Sequence, residues 1–129
     1  MGTVTEDKVR VVLVDDEPDV VRLERDLLEI DGRFEVVGEA ADGIEAIHMA
    51  RSLQPNAVVL DVLMPRMDGW EALPLIRRVS PATEVVVVSA LGAQSVLNDR
   101  AVWLGAATYV AKTELVSMPG LVAAACSAQ

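Results

Sequence analysis

Four short apolar runs in this chain each end in a polar residue suited to a cation or a phosphate. Val11-Val12-Leu13-Val14 leads into Asp15-Asp16, and Val58-Val59-Leu60 into Asp61. Val85 to Val88 leads into Ser89, and Tyr109-Val110-Ala111 into Lys112. Short runs rich in β-branched residues read as strands buried on both faces, the pattern of a parallel sheet. In an open α/β sheet, ligands bind outside the carboxyl ends of the strands. The Asp15, Asp16 and Asp61 carboxylates, the Ser89 hydroxyl and the Lys112 ammonium are therefore expected to converge on one rim. Such a rim predicts a site for a divalent cation and a phosphoryl group.

The intervening segments carry helical signals. Pro18 suits a first helical position, and Val20, Leu23, Leu27 and Ile30 follow at helical spacing up to Gly32. Phe34 to Glu39 reads as a second strand. Asp42-Gly43 opens a helix that carries Ala46, Ile47, Ala50 and Leu53 toward the core and stops at Pro55. After the third strand, Ala57 to Leu60, the loop Met64-Pro65-Arg66-Met67-Asp68-Gly69 leads into a helix from about Trp70 to Val79. Pro74 lies inside that helix and should remove a hydrogen bond or kink it. Glu84 to Ser89 is the fourth strand, Gln94 to Leu104 a further helix, and Thr108 to Ala111 the fifth strand. Ser117, as an N-cap ahead of Pro119, would start a short last helix containing Leu121, Val122 and Ala125. Crossovers of this length demand parallel strands and right-handed connections. The expected architecture is a single three-layer α/β domain over residues 1–129, with its core at about 9–127.

Composition narrows the function. Hydrophobic residues make up 52% of the chain but aromatics only 3%, so the core is aliphatic. With 11 basic against 20 acidic residues the net charge is −9, and the chain lacks the basic footprint that nucleic acid or an anionic membrane needs. A lone cysteine, Cys126, rules out an internal disulfide and fits a reducing compartment. No apolar run is long enough to span a bilayer, and Met1 to Lys8 is polar rather than signal-like, so the expected location is cytoplasmic.

In this order and at these separations, Asp15-Asp16, Asp61, Ser89-Ala90 and Lys112 resemble the response-regulator receiver domain of two-component systems. The most specific piece is Asp61-Val-Leu-Met-Pro-Arg-Met-Asp-Gly69, and the resemblance covers residues 9 to about 127. The stretch Val36-Val-Gly-Glu-Ala-Ala-Asp-Gly43 is further similar to receivers that precede LuxR-type helix-turn-helix output domains. The resemblance implies a (βα)5 flavodoxin-like fold with sheet order 2-1-3-4-5. It implies Asp61 as phosphoacceptor, with Mg²⁺ bound by Asp16, Asp61 and the Leu63 backbone carbonyl, and Asp15 acting largely through water. Lys112 and Ser89 would contact the phosphoryl oxygens. A histidine kinase or phosphotransfer protein would be the partner, phosphorylation would favour a homodimer, and the output would be transcriptional. The surface formed by the helix at Gln94–Leu104, the fifth strand and the last helix would respond. Ser89 and Tyr109 would be its two-state element, although Tyr109 also reads as a half-buried strand tyrosine, and both readings stand.

The chemistry asks for these residue types on its own account. Phosphoryl transfer is mostly positioning plus neutralisation of charge on the equatorial oxygens. Packed carboxylates resist ionising together, and a bound cation reverses that penalty. Mg²⁺ prefers hard oxygen ligands, and a lysine offers a compact charge on a long stem. Taken singly, each residue has a plainer reading: Asp15, Asp16 or Glu17 as caps of the first helix, Lys112 as a solvated side chain.

Two positions depart from the family pattern. Thr113 follows Lys112 where many receivers have proline in a cis bond, and a trans bond is expected here. Leu63 puts an apolar side chain two residues past Asp61, where it would obstruct an attacking water and slow loss of phosphate. Trp70 and Trp103 read as packing or interface residues, His48 as a surface histidine and Cys126 as a small hydrophobe.

The chain is thus expected to be a signalling module without multiple turnover, either a stand-alone receiver or, as the resemblance to LuxR-type regulators favours, a piece of a longer transcription factor. The alternative is a small Mg²⁺-dependent phosphohydrolase of haloacid dehalogenase type, which also uses an aspartate nucleophile. That family sets an Asp-x-Asp after its first strand and a late acidic pair, and the acidic residues here fall in a different order. A flavin-binding domain of the same fold is disfavoured by the four aromatics and the lack of a Ser/Thr-Gly loop after the first strand.

Overall fold

The valine-rich runs do form the centre of the molecule. The computed structural model of the protein describes residues 7–90 and 104–127. Its strands are β1 (Val9–Val14), β2 (Phe34–Ala40), β3 (Ala57–Asp61), β4 (Glu84–Ser89) and β5 (Thr108–Ala111). They make one parallel sheet in the order β2-β1-β3-β4-β5. The helices are α1 (Pro18–Asp31), α2 (Gly43–Leu53), α3 (Gly69–Val79) and α4 (Met118–Ser127), the last preceded by a 3-10 segment, Lys112–Ser117. The helix expected at Gln94–Leu104 lies outside the described residues, Leu104 excepted, and so does Trp103.

Successive strand residues face opposite sides, and two cores result. Val12, Val14, Val58, Leu60, Val85 and Val87 pack with Ala46 and Ala50 of α2 and Ala72, Leu73 and Ile76 of α3. Val11, Leu13, Val59, Val86, Val88 and Val110 pack with Val21 and Leu28 of α1 and Met118 and Val122 of α4. This is the doubly wound three-layer arrangement, and it leaves the carboxyl strand ends free to build a site.

Helix α1 meets the expectation in part: Val20 and Leu27 pack against the core, whereas Leu23 and Ile30 do not. Leu23 is 48% exposed and Ile30 83% exposed, while Val21, Glu24 and Leu28 are buried. A carboxylate in the middle of the inward stripe hides that stripe from an apolar count. Of the acidic candidates Asp15, Asp16 and Glu17, Glu17 occupies the N-cap position of α1, but its side chain makes no capping hydrogen bond, and Pro18 follows at N1. Helix α3 starts at Gly69, closed by a reciprocal capping box between Asp68 and Glu71. It continues through Pro74, whose ring sits on the exposed face, while Ala72, Leu73 and Ile76 hold the opposite face to the sheet. Ser117 is not a free-standing N-cap, because it ends the 3-10 segment that runs directly into α4. Strand β2 extends one residue past the expected Glu39 and carries a register shift against β1 between Val11 and Val12.

At the amino end of the sheet a polar clasp joins α2 to α3. The Gln54 side chain donates to the carbonyls of Ala50, Arg51 and Val79, and Ser80 Oγ donates to Gln54 Oε1 at 3.2 Å. Thr83 Oγ1 donates to the Pro55 carbonyl at 2.7 Å, so this end is fixed away from the chemistry.

Candidate functional site

The carboxyl ends of the strands bring the expected residues together. Asp15 follows β1, where its N–H donates to the Ala40 carbonyl at 3.0 Å. Its Oδ1 accepts from the Glu17 N–H at 2.9 Å, which folds the β1–α1 turn around the carboxylate. Asp61 ends β3 opposite Val88, and Val62 N–H donates to the Val88 carbonyl at 3.2 Å. Ser89 ends β4 in register with Ala111, and Lys112 follows β5.

Oxygens of Asp15, Asp16 and Asp61 all lie within 4.8 Å of one another, with Asp15 and Asp61 buried and Asp16 exposed. Lys112 Nζ sits 3.1 Å from Asp15 Oδ2, 3.0 Å from Glu17 Oε1 and 3.4 Å from Asp61 Oδ2. The Asp15 contact is an ion pair out of line for a hydrogen bond. No cis peptide occurs among the described residues, so the Lys112–Thr113 bond is trans and Lys112 still reaches Asp61. Ser89 is buried. Tyr109 is buried as well, rather than half-buried, within the core on the α2–α3 side.

Crowding sets the electrostatics. Burial, then the charge of Asp15, pushes Asp61 up to about 7 against the pull of Lys112. Burial also raises Asp15, opposed by the Glu17 N–H and by Lys112. For Lys112 burial works against the ammonium, but the bond to Glu17 and the charges of Asp15 and Asp61 outweigh it and hold the group above its ordinary range. Glu24 of α1 is 1% exposed, and burial with the charges of Asp15 and Asp61 drives it up to about 8.

The remaining singled-out residues fall outside this cluster. Leu63 is 58% exposed beyond Asp61. His48 is exposed, Trp70 packs against the α2–α3 core, and Cys126 Sγ donates to the Asn56 carbonyl at 3.6 Å. Three features escaped sequence reasoning. Glu17 is a partner of Lys112 rather than a cap. Glu24 interrupts an otherwise apolar face. Gly69 presses on the Asp61 backbone: its N–H donates to the Val62 carbonyl at 2.8 Å, and a Cβ there would strike the Asp61 carbonyl oxygen and lie 2.9 Å from Val62 Cα. The Asp68-Gly69 pair at the helix start was the available signal for the last.

Comparison with known proteins agrees with this geometry. The sequence matches the response regulator receiver domain over residues 11–123. It is 41% identical over 108 residues to a protein-glutamate methylesterase/protein-glutamine glutaminase of Pyrococcus abyssi (strain GE5 / Orsay), covering 81% of this chain and 28% of that protein. The chain thus spans under a third of the length of that relative. It is 34% identical to the chemotaxis protein CheY of Thermotoga maritima, covering 80% of this chain and 84% of that one. The crystal structure of a LuxR-family two-component response regulator from Aurantimonas sp. SI85-9A1 superimposes with a TM-score of 0.79 at 32% identity, covering 92% of this chain and 87% of the other. The phosphohydrolase alternative finds no support in these matches. Fold, sheet order, rim and sequence agree, and the chain belongs to the response regulator receiver domain family.

Proposed function

We propose that the chain is a phosphoacceptor module in which Asp61 receives a phosphoryl group from a histidine kinase or phosphotransfer partner in a Mg²⁺-dependent step. One observation carries this reading: the Asp15, Asp16 and Asp61 oxygens meet within 4.8 Å beside a lysine ammonium 3.4 Å from Asp61. An Asp61 oxygen attacks phosphorus, and the bond from phosphorus to the donor atom breaks, its electron pair leaving with the donor. Asp16, Asp61 and the Leu63 carbonyl are the groups that would hold Mg²⁺, with Asp15 acting through an intervening water. Hard oxygen donors suit that ion, and a cation offsets both the burial and the repulsion from Asp15 that raise Asp61. When bound, the cation neutralises charge on the transferring phosphoryl oxygens. Lys112 and Ser89 bind those oxygens.

A cleft of about 490 Å³ lined by Asp15, Asp16, Pro18, Arg22 and Glu45 lies beside the carboxylates, between α1, the end of β2 and the start of α2. Ser89 and the buried Tyr109 form the element that a phosphoryl group biases, and the surface around β5 and α4 responds, a homodimer being one outcome. The charge of −9 gives this chain no basic surface for nucleic acid, so a transcriptional output of the kind its similarity to a LuxR-family regulator suggests would be carried by another domain or protein. Asp61 is consumed in each event and restored only by slow hydrolysis, so no independent substrate is turned over.

Incubation with acetyl phosphate and Mg²⁺ followed by intact mass tests the reading. Wild type should gain one phosphoryl group and Asp61→Asn none. A wild type without adduct, or one that hydrolyses a phosphate ester through many turnovers, contradicts it.

A further inference from the structure

The loop after Asp61 is fastened at its far end to a different element. Arg66 adopts φ +65°, a left-handed conformation that costs free energy for a side chain of this kind. The Met67 N–H donates to the Pro65 carbonyl at 2.7 Å and closes a three-residue turn around it. This turn is tied to the start of α2 through both backbone and side chains. Gly43 N–H donates to the Met67 carbonyl at 2.9 Å, while Arg66 Nε donates to Asp42 Oδ2 at 2.7 Å, with Nη2 2.5 Å from the same oxygen. The approach is close: a Cβ at Gly43 would lie 2.7 Å from the Met67 carbonyl oxygen and 2.8 Å from its Cγ.

Asp42 divides its two oxygens. Oδ1 accepts from the Glu45 N–H at 2.9 Å and caps α2, and Oδ2 takes Arg66. Its side chain is 3% exposed beneath an arginine that is itself 60% exposed, so the carboxylate lies under a thin lid rather than deep in a core. The Glu45 N–H, and after it Arg66, hold it below the ordinary carboxylate range. Exposed ion pairs contribute little stability. This pair differs because one partner is covered and the other carries a strained backbone inside the loop that joins Asp61 to α3.

We propose that Asp42 and Arg66 are positioning residues for the cation site, pinning the loop that follows Asp61 and with it the Leu63 backbone. The proposal rests on the phosphoacceptor reading, which alone gives the Leu63 carbonyl a cation to bind. Neither side chain touches the phosphoryl group; both act through the turn at Pro65–Met67. The staple makes α2 and the phosphoacceptor loop one unit, so a change at the helix start is felt at Asp61.

The test combines calorimetric titration of the full chain with Mg²⁺ alone and hydrogen exchange of the metal-free protein. Arg66→Ala should weaken Mg²⁺ binding roughly tenfold, as loss of a group that orients a metal ligand does. It should also speed exchange of the Gly43 amide without metal. Asp42→Asn, which keeps a capping oxygen, should lose a similar factor, and the double variant should lose no more than either single one. Arg66→Lys should recover part of the affinity. Unchanged Mg²⁺ affinity in Arg66→Ala, or additive losses in the double variant, overturns the proposal, even if the melting temperature falls. If wild type binds neither Mg²⁺ nor a phosphoryl group, the phosphoacceptor reading fails and takes this one with it. If wild type binds Mg²⁺ and Arg66→Ala binds it equally, only the positioning role fails.

Discussion

Glu24 is the residue whose placement is hardest to reconcile with stability alone. It sits on the inward face of α1 with Oε1 lacking a hydrogen-bond partner, where its neighbours Val21 and Leu28 are apolar. Its folded pKa of about 8 stands well above the ordinary 4.5, so the folded state holds the proton more tightly than the unfolded chain. The resulting contribution is intact below about pH 4.5 and drains away as pH rises through about 8. Glu24→Gln removes this titration. Its stability relative to wild type should therefore grow over that window, by several kcal/mol at the top, since each tenfold difference in proton affinity is worth roughly 1.4 kcal/mol. Urea unfolding at about pH 5 and about pH 8.5 checks this, and parallel pH profiles for the two proteins would count against it. A group held against its own ionisation beside Asp15 and Asp61 belongs to the electrostatics of the site, although it never faces the rim.

At the scale of elements, the connection from β3 to α3 decides whether the site is built. The strand end, the Asp68–Glu71 capping box and the Gly69 N–H to Val62 bond close the loop into a ring with no slack. Gly69→Ala should cost about 1–3 kcal/mol, the usual range for overpacking. It should also slow phosphorylation by acetyl phosphate, because the added methyl can be accommodated only by moving the Asp61 carbonyl. Thermal unfolding and intact mass read the two effects, and a variant with wild-type values in both would sink this account. The sheet elements were legible in the sequence because their valines are buried on both faces, where composition and period agree. The inward face of α1 was legible only in part: Val20 and Leu27 do pack inward, but Glu24 breaks the stripe and Leu23 and Ile30 mimic one. Asp61, Asp16 and Lys112 were legible because each closes a strand. The Asp42–Arg66 pair was not, because its meaning depends on a backbone turn at positive φ and on partners 24 residues apart.

For the molecule as a whole, the sheet divides two aliphatic cores and gathers negative charge along one edge. Binding a cation there should stabilise the entire domain, by about 2.7 kcal/mol at a free concentration a hundred times Kd. Asp61 must give up its proton to serve as a ligand, and with its pKa raised to about 7 that exchange is harder in acid. The rise in melting temperature produced by Mg²⁺ should therefore be larger at about pH 8 than at about pH 6. An equal rise at both would mean that Asp61 is already ionised without metal.

The closed ring also draws a boundary for anyone redesigning this protein. Gly43 and Gly69 leave no space for even one added carbon, so these two sites are locked to glycine unless backbone is rebuilt around them. Leu63 and Pro65, on the same ring, turn outward into solvent. A library meant to retune the lifetime of a phosphoryl adduct can randomise the exposed Leu63 side chain, provided it leaves Gly43, Gly69 and the turn at Pro65–Met67 untouched.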